Sequence, residues 1–306
     1  MRAFICTEYG GPEVLKLVEV DKPIPKNNEV LIKIKATSVN SGDVRVRGLQ
    51  VEGLMRIIMR LVLGFNRPKK PILGLVLSGI VEEVGQDVKK FKVGDEVFAS
   101  TGFRFGTNAE YIALPEDFTL TLKPTNATHE EAVSILFGGM TAIHFLDKAG
   151  IQNSNAKNIL IYGSTGAVGS AAIQIAKYYN WHITSVCSQS GSELSLRLGS
   201  ERVIDYSNAE EMSKLDQKFD IIFDAVGKID KGFVKKHLSG TGKFVTVGGL
   251  DVAKENTHQM LLLKDLYEKG LFQPVIDRVY DFEDLVEAHK YVDMGHKKGN
   301  VVIGLD

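Results

Sequence analysis

The 306-residue sequence predicts an α/β protein: a small antiparallel, strand-rich part, then a parallel sheet alternating with helices. Three observations carry this reading. Residues 1–125 hold short strand-like runs broken by Gly and Pro. Beyond His129, runs of strand length alternate with segments of helical period. Within that alternation, Ile159–Tyr162 runs into Gly163-Ser164-Thr165-Gly166-Ala167-Val168-Gly169 and then an Ala- and Ile-rich helical segment ending near Lys177.

In the first part, strands are expected at Arg2–Cys6, Leu15–Glu19, Glu29–Ser38, Gly79–Val84, Glu96–Ala99 and Ala109–Ala113. Lys33, Lys35 and Thr37 alternate with Ile32, Ile34 and Ala36, the period-two mark of a sheet with one wet face. The stretch Ser38–Gly48 puts Asn40, Asp43, Arg45 and Arg47 within eight residues. It reads either as a turn capped by Asn40 and Asp43 with a local Asp–Arg pair, or as the polar rim of a substrate cleft. Arg56–Phe65 is the greasiest segment, open to three readings: a lid over an apolar pocket, a dimer contact or a core helix. Phe103 and Phe105 either line an apolar slot or plug the sheet's interior.

Strand, glycine turn and helix together suit a dinucleotide's pyrophosphate, because small residues let the backbone approach and the helix start offers unpaired N–H groups. The spacing G-x-x-G-x-x-G is not the commonest fingerprint and on its own also fits a generic glycine turn. A helix over His129–Lys148 contains Gly138 and Gly139, each costing about 1 kcal/mol relative to Ala, so a kink or a close backbone approach is expected there. Thr141 would then offer a hydroxyl toward a nicotinamide. Further strands are expected at His182–Cys187, Arg202–Tyr206, Phe219–Val226 and Lys243–Gly248. The second strand ends in Cys187-Ser188-Gln189-Ser190, without the Asp or Glu that grips an NAD ribose. That favours NADPH, with NADH possible, and leaves Lys297 and Lys298 as the best cations for a 2'-phosphate. Only five parallel strands are found. Six residues separate Gly249 from a helix starting at Asn256, too few for a crossover to a sixth. The missing strand is either a true deletion or a segment absent from the sequence. Final strands at Val275–Tyr280 and Val301–Leu305 should return to the first part, giving domains 1–125 (completed by 275–306) and 126–274.

A net charge of −1 without basic tracts excludes a nucleic-acid partner. No run reaches the roughly 18 to 20 apolar residues of a membrane span, and the start lacks a signal-peptide core. Cys6 and Cys187 sit in apolar strand-like runs and read as buried thiols of a reducing, cytoplasmic setting. Seven scattered histidines show no metal-ligand spacing, so no metal site is expected.

These pieces in this order resemble the medium-chain dehydrogenase/reductase superfamily, in its zinc-independent quinone oxidoreductase (zeta-crystallin-like) branch. The resemblance rests on MRAFICTEYGGPEVLKL, Asn40-Ser41-Gly42-Asp43, LGLVLSGIVEEVG, Gly94-Asp95-Glu96-Val97, the glycine loop, Asp224-Ala225-Val226-Gly227 and HKKGNVVIGL. It implies a GroES-like barrel with the substrate cleft, a Rossmann domain, a homodimer, and hydride transfer from NADPH to a quinone or an α,β-unsaturated carbonyl. Zinc-dependent relatives carry a Cys where Ser41 stands and a Gly-His where Gly74-Leu75 stands. By the same resemblance Gly163–Gly169 hold the pyrophosphate, Ser188 and Tyr206 flank the adenosine phosphate, and Thr141 and Asn300 lie near the nicotinamide. Val226, Gly227, Val247 and Gly248 close over its ring. Asn40, Asp43, Arg45 and Arg47 are the candidate groups for stabilising and protonating the product. Alternatives are an alcohol dehydrogenase-like protein and a cofactor-binding member without catalysis.

Overall fold

In the computed structural model the chain divides into two compact units, Met1–Phe137 with Ile276–Asp306, and Gly138–Val275. Residues 1–50, 53–152, 157–249 and 251–306 are described, with all their side chains except those of residues 54 and 55.

The first unit begins with β1 (Arg2–Cys6) antiparallel to β2 (Leu15–Glu19), both at the expected bounds. The eleven-residue β3 (Glu29–Val39) is the spine of the larger sheet. It pairs antiparallel with β4 (Val76–Val84), which passes the ladder to β5 (Glu96–Ser100), and with β6 (Tyr111–Pro115). A short β7 (Leu120–Leu122), absent from the sequence reading, extends β5. The alternation on β3 holds for Ile32 and Ile34, which are buried, against the half-buried Lys33 and Lys35. Thr37 departs from it. It is fully buried because its hydroxyl finds Val76 O at 2.7 Å and the Thr107 hydroxyl at 2.8 Å, which removes the cost of hiding a polar group.

After β3 the chain forms α1 (Ser41–Gly48), a helix where a capped turn was one expectation. Asn40 Oδ1 accepts from the Gly42 and Asp43 amides at 2.8 and 3.2 Å, and Asp43 Oδ2 accepts from the Asn40 amide at 3.0 Å. Such a reciprocal box satisfies the first N–H groups and is worth about 1 kcal/mol. Helix α2 (Gly53–Leu63) follows. Its Met59 and Leu63 join a core of Phe4, Leu15, Val39, Phe105 and Phe282, but Ile57, Ile58, Leu61 and Val62 face solvent. The core-helix reading of Arg56–Phe65 therefore fails. Phe105 is buried and plugs the interior, whereas Phe103 is 55% exposed.

Helix α3 (His129–Ala149) runs unbroken for 21 residues and leads into the second unit. There β8 (Asn158–Tyr162), α4 (Ala167–Tyr178), β9 (His182–Cys187), α5 (Ser192–Leu198) and β10 (Arg202–Asp205) alternate. They continue as α6 (Ala209–Ser213), β11 (Phe219–Asp224), α7 (Lys231–His237), β12 (Leu238–Thr246) and α8 (Thr257–Glu268). All five strands are parallel, in the order β10-β9-β8-β11-β12. Side chains of the inner strands and β10, Leu160, Val186, Ile204, Phe219 and Ile222 among them, are buried, as helices on both faces require, whereas on β12 only Val245 is buried. Strand order reverses between β8 and β11, and in such sheets ligands bind past the strand ends at that point. Among the described residues no sixth parallel strand follows β12: residues 251–256 form no regular element, and residue 250 lies outside the described residues. The chain then returns to the first unit as β13 (Ile276–Asp281), α9 (Leu285–Asp293) and β14 (Asn300–Gly304), with β14 antiparallel to β3.

Candidate functional site

At the switch point of the second unit, β8 delivers the chain into a turn that only glycines can make. Gly163 has φ 78°, and a Cβ there would lie 2.0 Å from Val226 Cγ2. A Cβ on Gly169 would sit 2.2 Å from Gly163 O, so its absence lets α4 pack directly on the turn. Gly166 caps α4 without any side-chain hydrogen bond. The first-turn N–H groups thus have no side-chain acceptor, and with the helix dipole they suit an anion. Ser164 is fully buried and bonded to the Ser195 hydroxyl at 2.8 Å, so its role is to hold the turn, not to reach outward. Gly138 explains the glycine pair in α3: a Cβ would fall 2.3 Å from Ala167 O. Close approach, not a kink, is what the pair supplies. Thr141, one turn on, is buried.

Two neighbouring strand ends complete this rim. Past β9, the Ser188 and Ser190 hydroxyls lie 3.2 Å apart on the surface, with no carboxylate between Cys187 and Glu193. Tyr206 is 51% exposed, and its amide donates to Cys187 O, which sets it beside Ser188. Past β11, buried Asp224 accepts from the amides of Val226, Gly227 and Ile229 and from the Thr246 hydroxyl. Sequence reasoning gave Asp224 no task, yet it fixes the loop that carries Val226 and Gly227. Gly227 and Gly248 pack backbone to backbone, since a Cβ on either would come within 2.6 Å of the other's Cα. These residues form an NAD(P)-binding fold, and its glycine cradle fits a dinucleotide.

The first unit holds the other candidates. Asn40 and Asp43 are buried at the start of α1, each with one polar atom, Nδ2 and Oδ1, that lacks a hydrogen bond of ordinary geometry. Burial pushes the Asp43 carboxyl up to about 7, against the opposing Asn40 and Gly74 amides and the Arg47 charge. Gly74, with φ 94°, leaves space that a Cβ would take from Thr107 and Asn108, and both polar atoms of the Asn108 side chain are also unpaired. Arg45 is exposed. Arg47 is 1% exposed and turned away from any open rim. It donates to Asp293 Oδ2 at 2.6 Å, to His289 Nδ1 at 3.0 Å and to Gly10 O at 3.2 Å. The expected local Asp–Arg pair is replaced by this long-range one. With Nδ1 accepting, His289 carries its proton on Nε2, and burial beside Arg47 pushes its pKa down to about 3, so it stays neutral. Nothing local in the sequence announces partners 242 and 246 residues away.

Lys297 donates to Gly299 O, and burial pushes its pKa down to about 8. The Lys298 amide donates to Asp277 Oδ2, and Asn300 is buried at the start of β14. Among the described residues no group of three or more His, Cys, Asp or Glu is placed to hold a metal. That donor set does not fit a zinc site.

Family models match in both units: an alcohol dehydrogenase GroES-like domain over residues 26–124 and a zinc-binding dehydrogenase over residues 198–303. The bovine (Bos taurus) mitochondrial NAD(P)H oxidoreductase RTN4IP1 is 32% identical over an alignment covering 100% of this chain and 89% of its own length. The chain belongs to the medium-chain dehydrogenase/reductase superfamily. Within it the chain falls in the zinc-independent quinone oxidoreductase branch and is an oxidoreductase. A 2-methylene-furan-3-one reductase of Solanum lycopersicum is 33% identical, covering 99% of this chain and 79% of its own. Among solved structures, the quinone oxidoreductase from Coxiella burnetii superposes with a TM-score of 0.87 at 27% identity, covering 100% and 99%. The bovine alignment spans 357 positions against 306 residues here, so that relative carries stretches this chain lacks.

Proposed function

We propose that this protein reduces quinones or α,β-unsaturated carbonyls with NADPH, without a metal. The observation that carries the reading is the rim of the second unit: an uncapped glycine turn for the pyrophosphate, and surface hydroxyls at Ser188 and Ser190 in place of a carboxylate. A carboxylate there would repel a 2'-phosphate, whereas hydroxyls donate to it. Two of the relatives are named for an enone and a quinone as substrates, which supports those acceptor classes.

NADPH, when bound, supplies the hydride. In our reading Gly163–Gly169 hold its pyrophosphate, Ser188 and Tyr206 its adenosine phosphate, and Val226, Gly227, Val247 and Gly248 flank the ring. Thr141 and Asn300 orient the nicotinamide. Lys297 is already engaged by Gly299 O, so a 2'-phosphate must compete for its ammonium; Lys298 is the second candidate cation. Hydride arrival leaves negative charge on the acceptor oxygen, which needs donors and then a proton. Asn40 Nδ2 is the unpaired donor, and Asp43, held near neutrality, is the group that can keep and release a proton. Arg45 offers a surface charge. Arg47 acts through α1, as the positioning residue that ties it to α9. The family's homodimer and a reducing compartment belong to the same proposal; both thiols, Cys6 and Cys187, are free and buried.

The test is NADPH oxidation with 1,2-naphthoquinone and with a small enone, beside a binding titration. Binding without turnover of either acceptor would sink the proposal. Equal affinity for NADH would sink the assignment of Ser188 and Ser190.

A further inference from the structure

Helix α2 points its apolar face away from the core. Ile57, Ile58, Leu61 and Val62 are 57, 42, 56 and 61% exposed, and Phe65 just beyond is 60% exposed. At 100° per residue the four helical positions fill one arc about 140° wide, opposite the inward Met59 and Leu63. Single exposed apolar side chains are ordinary, but a contiguous patch marks a surface meant to be covered.

The charges beside the patch say by what. From Gly53 to Val81 there is no Asp or Glu, while Arg56, Arg60, Arg67, Lys69 and Lys70 fall within fifteen residues. A groove at the start of the helix is lined by Gly53, Arg56, Ile57 and Arg60. Arg60 Nε there is buried without a hydrogen-bond partner among the described residues. Lys69 Nζ donates to Leu61 O at 3.2 Å, and Lys70 Nζ donates to the backbone carbonyl of Phe103, whose side chain is exposed, at 3.4 Å. A second copy meeting this face two-fold would set five cations against five with no carboxylate of the segment to offset them. A bilayer carrying anionic phosphates offsets them all. Eleven residues span about 16 Å, about half of what crosses a membrane. Among the described residues no helix is long and apolar enough to do so.

We propose that α2, with Phe65–Lys70, is an interfacial anchor that seats this protein on an anionic lipid bilayer. Its apolar arc lies in the acyl boundary, and lipid phosphates meet Arg56, Arg60, Arg67, Lys69 and Lys70. The anchor does not depend on which acceptor the enzyme reduces.

The experiment is co-sedimentation of the full chain with large vesicles of phosphatidylcholine alone, and with about 30% phosphatidylglycerol added. Each Lys or Arg near an anionic surface is worth about fivefold in partition. We therefore expect at least tenfold tighter binding to the anionic vesicles, lost in about 0.5 M salt where the Debye length is a few ångströms. Ile58→Glu with Leu61→Glu changes only exposed positions, so the pair should keep native circular dichroism and NADPH affinity while vesicle binding falls to background. Arg56→Gln with Arg60→Gln should weaken binding to anionic vesicles alone. The proposal is overturned by equal binding to both vesicle types, or by a double Glu variant that binds as well as wild type. A dimer that this variant converts to monomer would also overturn it, since a second copy would then be the cover.

Discussion

Asp43→Asn is the sharpest single perturbation this structure offers. Asparagine keeps an oxygen for the Asn40 amide and removes the charge, so the capping box survives. Burial raises the Asp43 carboxyl from 3.8 to about 7 in the folded state. The sign follows: stability from the protonated carboxyl is complete below about pH 4 and is lost as pH rises through 7. At about 1.4 kcal/mol per unit, three units give a penalty of about 4 kcal/mol on the wild type above pH 7. At pH 5 the penalty should be about 2 kcal/mol. His289 runs the other way, losing stability as pH falls below its unfolded value of 6.5, because the fold keeps it neutral. Comparing variant with wild type at each pH cancels that term. Urea melts at pH 5, 6, 7 and 8 should therefore show Asp43→Asn more stable than wild type, with the gap widening by roughly 2 to 3 kcal/mol from pH 5 to 8. Trp181, the one tryptophan, lies in the other unit, so far-UV circular dichroism and hydrogen exchange across α1 are the readouts. A gap independent of pH would refute a carboxyl held near neutrality. The same variant should lose turnover while its NADPH affinity stays unchanged.

Gly169→Ala drives a Cβ to 2.2 Å from a backbone oxygen, and NADPH affinity by fluorescence titration should fall at least tenfold. Asp224→Ala strips four donors of their acceptor and should cost about 3 kcal/mol in thermal or urea unfolding, with weaker cofactor binding. Arg47→Ala leaves His289 and Asp293 without their partner. Since Asp293 is a quarter exposed and can rehydrate, the loss belongs near about 3 kcal/mol, at the low end for a broken buried pair. It should appear as lost protection of α1 and α9 in hydrogen exchange; protection retained in both helices would refute the tie.

Much of the fold is legible because its rules are local. Period-two runs set β1, β2 and the front of β3, and alternating strand and helix periods set all five parallel strands of the second unit. The glycine turn is legible because Gly163 and Gly169 have no alternative at their positions. What the sequence hides is long-range. Thr37 looks like a wet-face residue until Thr107 arrives across the sheet. Arg47 looks like half of a local pair until α9 brings Asp293 and His289. The outward turn of α2 is hidden for the opposite reason: an amphipathic period tells how wide the apolar arc is, not which way it faces.

The last strand of the parallel sheet has a free side. Along β12 one row of amides and carbonyls pairs with β11, while no described strand takes the other. Such a border is a template on which a foreign extended peptide can be copied. Its sequence, Leu238-Ser239-Gly240-Thr241-Gly242-Lys243-Phe244-Val245-Thr246, answers with two glycines, a register shift against β11 and a lysine ahead of its most apolar pair. Glycine and irregular pairing make the border a poor template, and Lys243 sets a charge where a second border would stack. Exchanging Lys243 for valine would extend the apolar run to three residues and turn a guarded seam into a site of inclusion-body growth.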